Sequence, residues 1–128
     1  MSPVKEASET VAKVLIVEDD APTRQLLGEH LEADRFEVAA VGSGAEARSL
    51  LAAGGIDLVL LDLTLSDDAL GLLREIHQGE ERVAVIIVTS RSTERDRIRG
   101  LNQGADDYIS KPYSYGELLG PISLVRES

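Results

Sequence analysis

Two periodicities alternate along this chain. Val14-Leu15-Ile16-Val17, Leu58-Val59-Leu60-Leu61 and Val85-Ile86-Ile87-Val88 are apolar runs too continuous for strands with one wet face. They predict strands covered on both sides, as in parallel sheets. With the weaker runs included, strands are expected from Lys13 to Val17, Phe36 to Val41, Ile56 to Leu61, Val83 to Val88 and Asp107 to Ile109. Helical spacing fills the intervals: Pro22 to Ala33 with Leu26, Leu27 and Leu31 on one face, Gly44 to Ala53, Ala69 to Gln78 and Thr93 to Gln103. A last helix should begin near Ser114. Pro22 suits a first turn, Ser43 and Ser92 can cap amino ends, and Gly54-Gly55, Gly79 and Gly104 fall where helices should stop. Residues 1–12 are polar with weak periodicity and read as a flexible tail, leaving 13–128 as one domain. Five β-α units in alternation give a parallel sheet flanked by helices on both faces.

Ligands of such sheets bind at the carboxyl edge of the strands. Four polar groups follow strand-like runs and so meet at that edge: Glu18-Asp19-Asp20, Asp62, Thr89-Ser90 and Lys111-Pro112. Taken singly each has a plain reading, as a turn, a helix amino end or a loop start. Their joint occurrence at four carboxyl ends points to phosphoryl transfer. An Asp carboxylate can attack a phosphoryl group if the charge around it is neutralised. Asp19 and Asp62 are the expected direct ligands of Mg²⁺, with Glu18 acting through water and the Thr64 carbonyl completing the shell. Carboxylates crowded together repel unless a cation lies between them, so the cluster itself argues for the metal. Lys111 adds a fixed positive charge, Thr89 a hydroxyl for a phosphoryl oxygen, and Ser90 leaves room.

Composition narrows the alternatives. The 128 residues suit one compact domain. Hydrophobic residues make up 43% and aromatics 3%, so the core must be aliphatic. A net charge of -10 repels phosphate backbones and anionic lipid, which argues against nucleic-acid or membrane binding by this domain. Without Cys there is no disulfide, zinc-thiolate site or thiol nucleophile, and His30 and His77 are too few for a His-based metal site. No apolar run is long enough to cross a membrane, and a cytoplasmic protein is expected.

Four segments carry a family resemblance: Val-Leu-Ile-Val-Glu-Asp-Asp at 14–20, Asp-Leu-Val-Leu-Leu-Asp-Leu at 57–63, Ile-Ile-Val-Thr-Ser-Arg at 86–91 and Gly-Ala-Asp-Asp-Tyr-Ile-Ser-Lys-Pro-Tyr at 104–113. From about Lys13 to Arg126 the chain resembles a bacterial two-component response-regulator receiver domain. The resemblance implies a flavodoxin-like, doubly wound five-stranded sheet of order 2-1-3-4-5 with five helices. It implies Asp62 as phosphoacceptor, Glu18 and Asp19 as the acidic pair and Thr89 as switch hydroxyl. Tyr108 would be the switch aromatic, and Lys111 the phosphate-binding lysine ahead of a cis bond to Pro112. The implied partners are a histidine kinase or histidine phosphotransfer protein and a downstream effector domain or protein. The expected output is a population shift at the face of the fourth helix, fifth strand and fifth helix. Arg91, Arg95, Arg97 and Arg99, interleaved with Glu94 and Asp96, read most simply as a solvated helix with internal ion pairs.

Two segments depart from the family pattern. Leu63-Thr64-Leu65-Ser66-Asp67-Asp68-Ala69-Leu70 lacks the usual Pro and Gly pair and is one residue short, so the loop after Asp62 is expected to be rebuilt. Gly116, Gly120 and Pro121 interrupt the last helix, which should kink, start late or be shortened. Pro121 also stands where the related transcription factors carry a basic residue that pairs across a dimer, which weakens the case for that dimer although Asp106, Asp107 and Glu117 remain. The rival reading is a receiver-like interaction module that works without phosphorylation. A hydrolase or nucleotide-binding enzyme is disfavoured, because no Gly-rich phosphate loop follows the first strand.

Overall fold

A computed structural model describes residues 12–63, 69–90 and 93–127. The expected tail, the Thr64 carbonyl, the rebuilt loop at 64–68, and Arg91 and Ser92 lie outside the described residues or, for the tail, almost wholly so. Strands and helices alternate as expected: β1 (Lys13–Val17), α1 (Ala21–Ala33), β2 (Glu37–Val41), α2 (Gly44–Ala53), β3 (Leu58–Leu61), α3 (Ala69–Gln78), β4 (Ala84–Thr89), α4 (Glu94–Asn102), β5 (Asp107–Ser110) and α5 (Tyr115–Glu127). The five strands are all parallel, in the order β2-β1-β3-β4-β5.

The continuous apolar runs now have their reason. Successive strand side chains point to opposite faces, and each face is covered. Leu15, Val17, Val59, Leu61, Val85 and Ile87 pack with Ala47 of α2 and Leu72, Leu73 and Ile76 of α3. Val14, Ile16, Leu58, Leu60, Ile86 and Val88 pack with Leu27 and Leu31 of α1 and Leu118 and Ile122 of α5. Each fully buried aliphatic side chain of this kind contributes about 1.5–3 kcal/mol.

Local chemistry sets the helix ends. Pro22 lies in the first turn of α1, Ser43 caps α2 by accepting from Glu46 N–H, and Gly54 ends α2 at a positive φ of 84°. Thr93 caps α4, its hydroxyl accepting from Asp96 N–H at 3.1 Å, so α4 starts one residue later than its spacing suggested. β3 starts at Leu58 rather than Ile56. Leu26 does not share the face of Leu27 and Leu31 as expected: it is 55% exposed, because i and i+4 but not i−1 face the sheet. The last helix is neither late nor shortened. It runs 13 residues through Pro121, so the proline removes one hydrogen bond without ending the element.

Candidate functional site

Backbone hydrogen bonds past the strand ends assemble the site. Glu18 N–H donates to Val41 O at 3.0 Å, and Asp62 N–H to Val17 O at 3.2 Å, so each acid is fixed beside the end of a neighbouring strand. Lys111 N–H donates to Thr89 O at 2.9 Å, and a cis bond joins Lys111 to Pro112 as expected. The carbonyl of Glu18 accepts from Arg24 Nη1 at 2.7 Å, which pins the turn between β1 and α1. Asp20 points away from the cluster. Its carboxylate caps α1, accepting from Thr23 N–H at 3.0 Å and from the Thr23 hydroxyl.

Glu18 and Asp62 are nearly fully buried, at 6% and 3% exposure, while Asp19 is exposed. Glu18, Asp19 and Asp62 each offer an oxygen within 4.8 Å of the others. Lys111 Nζ lies 2.8 Å from Glu18 Oε1 and 3.1 Å from Asp62 Oδ2. Burial raises the Glu18 pKa, against the lowering effect of Lys111 and of Asp20 N–H. Burial would lower that of Lys111, but its hydrogen bonds to Glu18 and Asp62 outweigh it, and the net shift is upward. The ammonium is therefore firmly charged near neutrality, facing more carboxylate than it can balance. Hard oxygens of two buried acids and one exposed acid fit Mg²⁺, which takes few carboxylates and keeps several waters.

Thr89 is fully buried at the end of β4, and Ser90 next to it is exposed. Ser90, Lys111 and Pro112 border an open groove of about 510 Å³ that Leu26, His30, Tyr113 and Tyr115 continue along α1. Tyr108 is not at the acid cluster: at 9% exposure its ring belongs to the core that holds Leu72, Leu73 and Ile76 of α3, and it lies beside Gly100 of α4. Two contributors were missed from sequence. Arg24 braces Glu18, and its only signal is a position one turn into α1. Tyr113 lies beside both Glu18 and Asp62 in a small recess, and burial raises its pKa.

The family model for the response regulator receiver domain matches residues 14–123. The chain belongs to the response regulator receiver family. This receiver is 41% identical over 119 residues to the transcriptional regulatory protein GltR of Pseudomonas aeruginosa, covering 90% of the chain and 49% of GltR. The chain spans about half the length of the curated relatives it matches, 49% and 50% for two of them. Among solved structures, the receiver domain of the TMAO respiratory system response regulator TorR is 36% identical, with a TM-score of 0.82 over 89% of this chain and 95% of that one. The BeF3-activated receiver domain of Klebsiella pneumoniae RstA is 31% identical, with a TM-score of 0.80 over 88% of this chain and 96% of that one. The family is one of signalling domains rather than metabolic enzymes, and among the described residues no helix of this receiver is long and apolar enough to cross a membrane.

Proposed function

We propose that Asp62 accepts a phosphoryl group from a histidine kinase or histidine phosphotransfer protein in the cytoplasm, and that the modified domain alters a protein surface read by an effector domain or protein. One observation carries this reading: the buried Asp62 carboxylate, 3.1 Å from Lys111 Nζ, shares its pocket with the acidic pair Glu18 and Asp19. A carboxylate oxygen of Asp62 forms the new P–O bond while the P–N bond of the donor phosphoimidazole breaks, and the released imidazole takes up a proton. Lys111 then exchanges its contact with Glu18 for a phosphoryl oxygen, and the Thr89 hydroxyl donates to another. Ser90 is small enough to leave the group space. Mg²⁺, held by Glu18, Asp19 and Asp62 with the Thr64 carbonyl, would supply the remaining charge neutralisation at the transferring oxygens.

Thr89 lies at the strand end, and Ile87 two residues before it packs in the same core as Tyr108. A pull on Thr89 is thus transmitted along β4 to the packing beneath α4, which makes the α4 side of the sheet the surface that responds. Slow loss of the phosphoryl group would come from water attacking the acyl phosphate in the same pocket.

The test is labelling with radioactive acetyl phosphate, with and without Mg²⁺, in the wild type and in Asp62→Asn. Mg²⁺-dependent label in the wild type and none in the variant is the expected result. A folded wild type that neither labels nor binds beryllofluoride would sink the reading.

A further inference from the structure

A groove between α2 and α3, at the amino edge of the sheet, carries a charge opposite to the one its helix ends call for. It encloses about 470 Å³ beside the carboxyl ends of both helices, where Gly79 follows α3 and Val83 leads into β4. Leu72 and Ile76 form its buried floor, and Leu51 and Val83 are half-buried along its sides. One turn back from the helix ends, Arg48 clasps Glu75 across the two helices, Nε to Oε1 at 2.8 Å and Nη2 to Oε2 at 3.1 Å. The ends themselves have no such clasp.

The carboxyl end of a helix carries unpaired carbonyls and about half a negative charge, so the side chains that suit it are Lys and Arg. Here the chemistry is reversed. The last turn of α2 holds no basic residue. Glu81 Oε2 instead leans over that end, 3.4 Å from where a Cβ on Gly54 would lie, and Glu80 is exposed on the same rim. His77, the basic residue in the last turn of α3, faces the other way, its side chain resting against Gly104 just past α4. Arg82 is exposed but does not border the groove. Neither Glu80 nor Glu81 has a hydrogen bond or ion pair among the described residues.

We propose that this groove docks a basic amphipathic segment of another protein. Its Lys or Arg side chains meet Glu80, Glu81 and the carboxyl end of α2, while its aliphatic side chains lie on Leu51, Ile76 and Val83. Charge complementarity sets the sign, and the floor sets the class. A metal ion or a free polyamine would leave those aliphatic side chains wet, whereas an amphipathic segment covers them with its apolar face and its long basic stems. A second copy of this chain brings a net charge of -10 of its own and is repelled. The groove lies at the amino edge of the strands and the acid pocket at the carboxyl edge, so the inference stands apart from the chemistry at Asp62.

The test pans a random library of displayed peptides on the intact chain, after subtraction of binders to Ala52→Arg. Ala52 is exposed at the lip of the groove, and an arginine there supplies the cation from within. Selected peptides should be rich in Lys and Arg beside aliphatic residues. In fluorescence anisotropy, E80Q/E81Q should weaken the best synthetic peptide roughly three- to tenfold, the loss of two exposed charge pairs, and added NaCl should weaken it further. E29Q/E32Q removes the same charge from exposed positions on α1, across the sheet, and should bind as the wild type does. Amide resonances that shift on titration should fall within 48–54 and 75–83. Thermal melts check that the variants fold, and E80K/E81K serves for subtraction if Ala52→Arg does not. Selection without basic enrichment, failure to select any peptide, equal binding by E80Q/E81Q, or shifts confined to other segments overturns the proposal. Spermidine that produces the same shifts at equal affinity also overturns it, since a bare polycation would then suffice. So does sedimentation showing a wild-type dimer that Ala52→Arg dissociates, because the occupant would then be a second copy.

Discussion

Asp62→Asn should make the metal-free domain more stable. Glu18, Asp19 and Asp62 hold oxygens within 4.8 Å of one another, with Lys111 Nζ 3.1 Å from Asp62 Oδ2. At an effective dielectric constant of about 20, two like charges at that separation repel by roughly 3 kcal/mol and the ammonium contact returns about 5 kcal/mol. Water damps the repulsion from exposed Asp19, so attraction and repulsion nearly cancel. The balance then falls to desolvation, which costs several kcal/mol for a buried ion, and Asp62 is only 3% exposed. An amide of the same shape avoids most of that cost and keeps an oxygen for Lys111. The expected gain is about 1–3 kcal/mol, a rise of roughly 1 M in urea midpoint. The assay is urea unfolding followed by far-ultraviolet circular dichroism in EDTA, repeated in Mg²⁺. At 100 times its Kd the metal should add about 2.7 kcal/mol to the wild type and much less to the variant, closing the gap. A lower midpoint for Asp62→Asn in EDTA would show that pairing with Lys111 outweighs crowding and burial, and an equal response to Mg²⁺ would show that Asp62 does not hold the ion.

Two further outcomes test the packing. Gly100→Ala should destabilise the domain by about 1 kcal/mol in the same assay, since overpacking against Ile87 costs about 1–3 kcal/mol and helix propensity returns about 1; a net gain would mean that α4 backs away freely. Tyr115→Phe should cost about 1 kcal/mol near neutral pH by removing the hydroxyl from Asp34 Oδ2. Burial, followed by that hydrogen bond, raises the Tyr115 pKa above its ordinary 10.0. The folded state therefore holds this proton more tightly than the unfolded chain. The contribution is complete below pH 10 and is lost as pH rises through the folded value, so the gap between wild type and variant should narrow from pH 9 to 11. A gap that widened there would contradict the assignment.

The site was legible because each of its parts follows an apolar run, and parallel register brings such ends together whatever their distance in sequence. Glu18, Asp62, Thr89 and Lys111 all sit within one residue or two of a strand end. What escaped depends on side-chain direction at the scale of a single bond. Leu26 belongs to the apolar pattern of α1 but faces away from its core, and Asp106 is an acid whose carboxylate is spent on Val85 N–H. Pro121 misled in the other direction: burial of Leu118 and Ile122 holds α5 together across it, an energy that local propensity does not contain.

The acidic triplet after β1 looks uniform in sequence, yet its members have been given separate tasks. Asp20 closes the end of α1 on Thr23, while Asp19, one residue before it, turns to the acid pocket. Neighbouring substitutions with the same loss of charge thus report on different properties: Asp20→Asn on the cohesion of α1, Asp19→Asn on ion affinity. Together they form a matched pair in which net charge and neighbourhood are held constant, and any difference between them isolates what the pocket itself contributes.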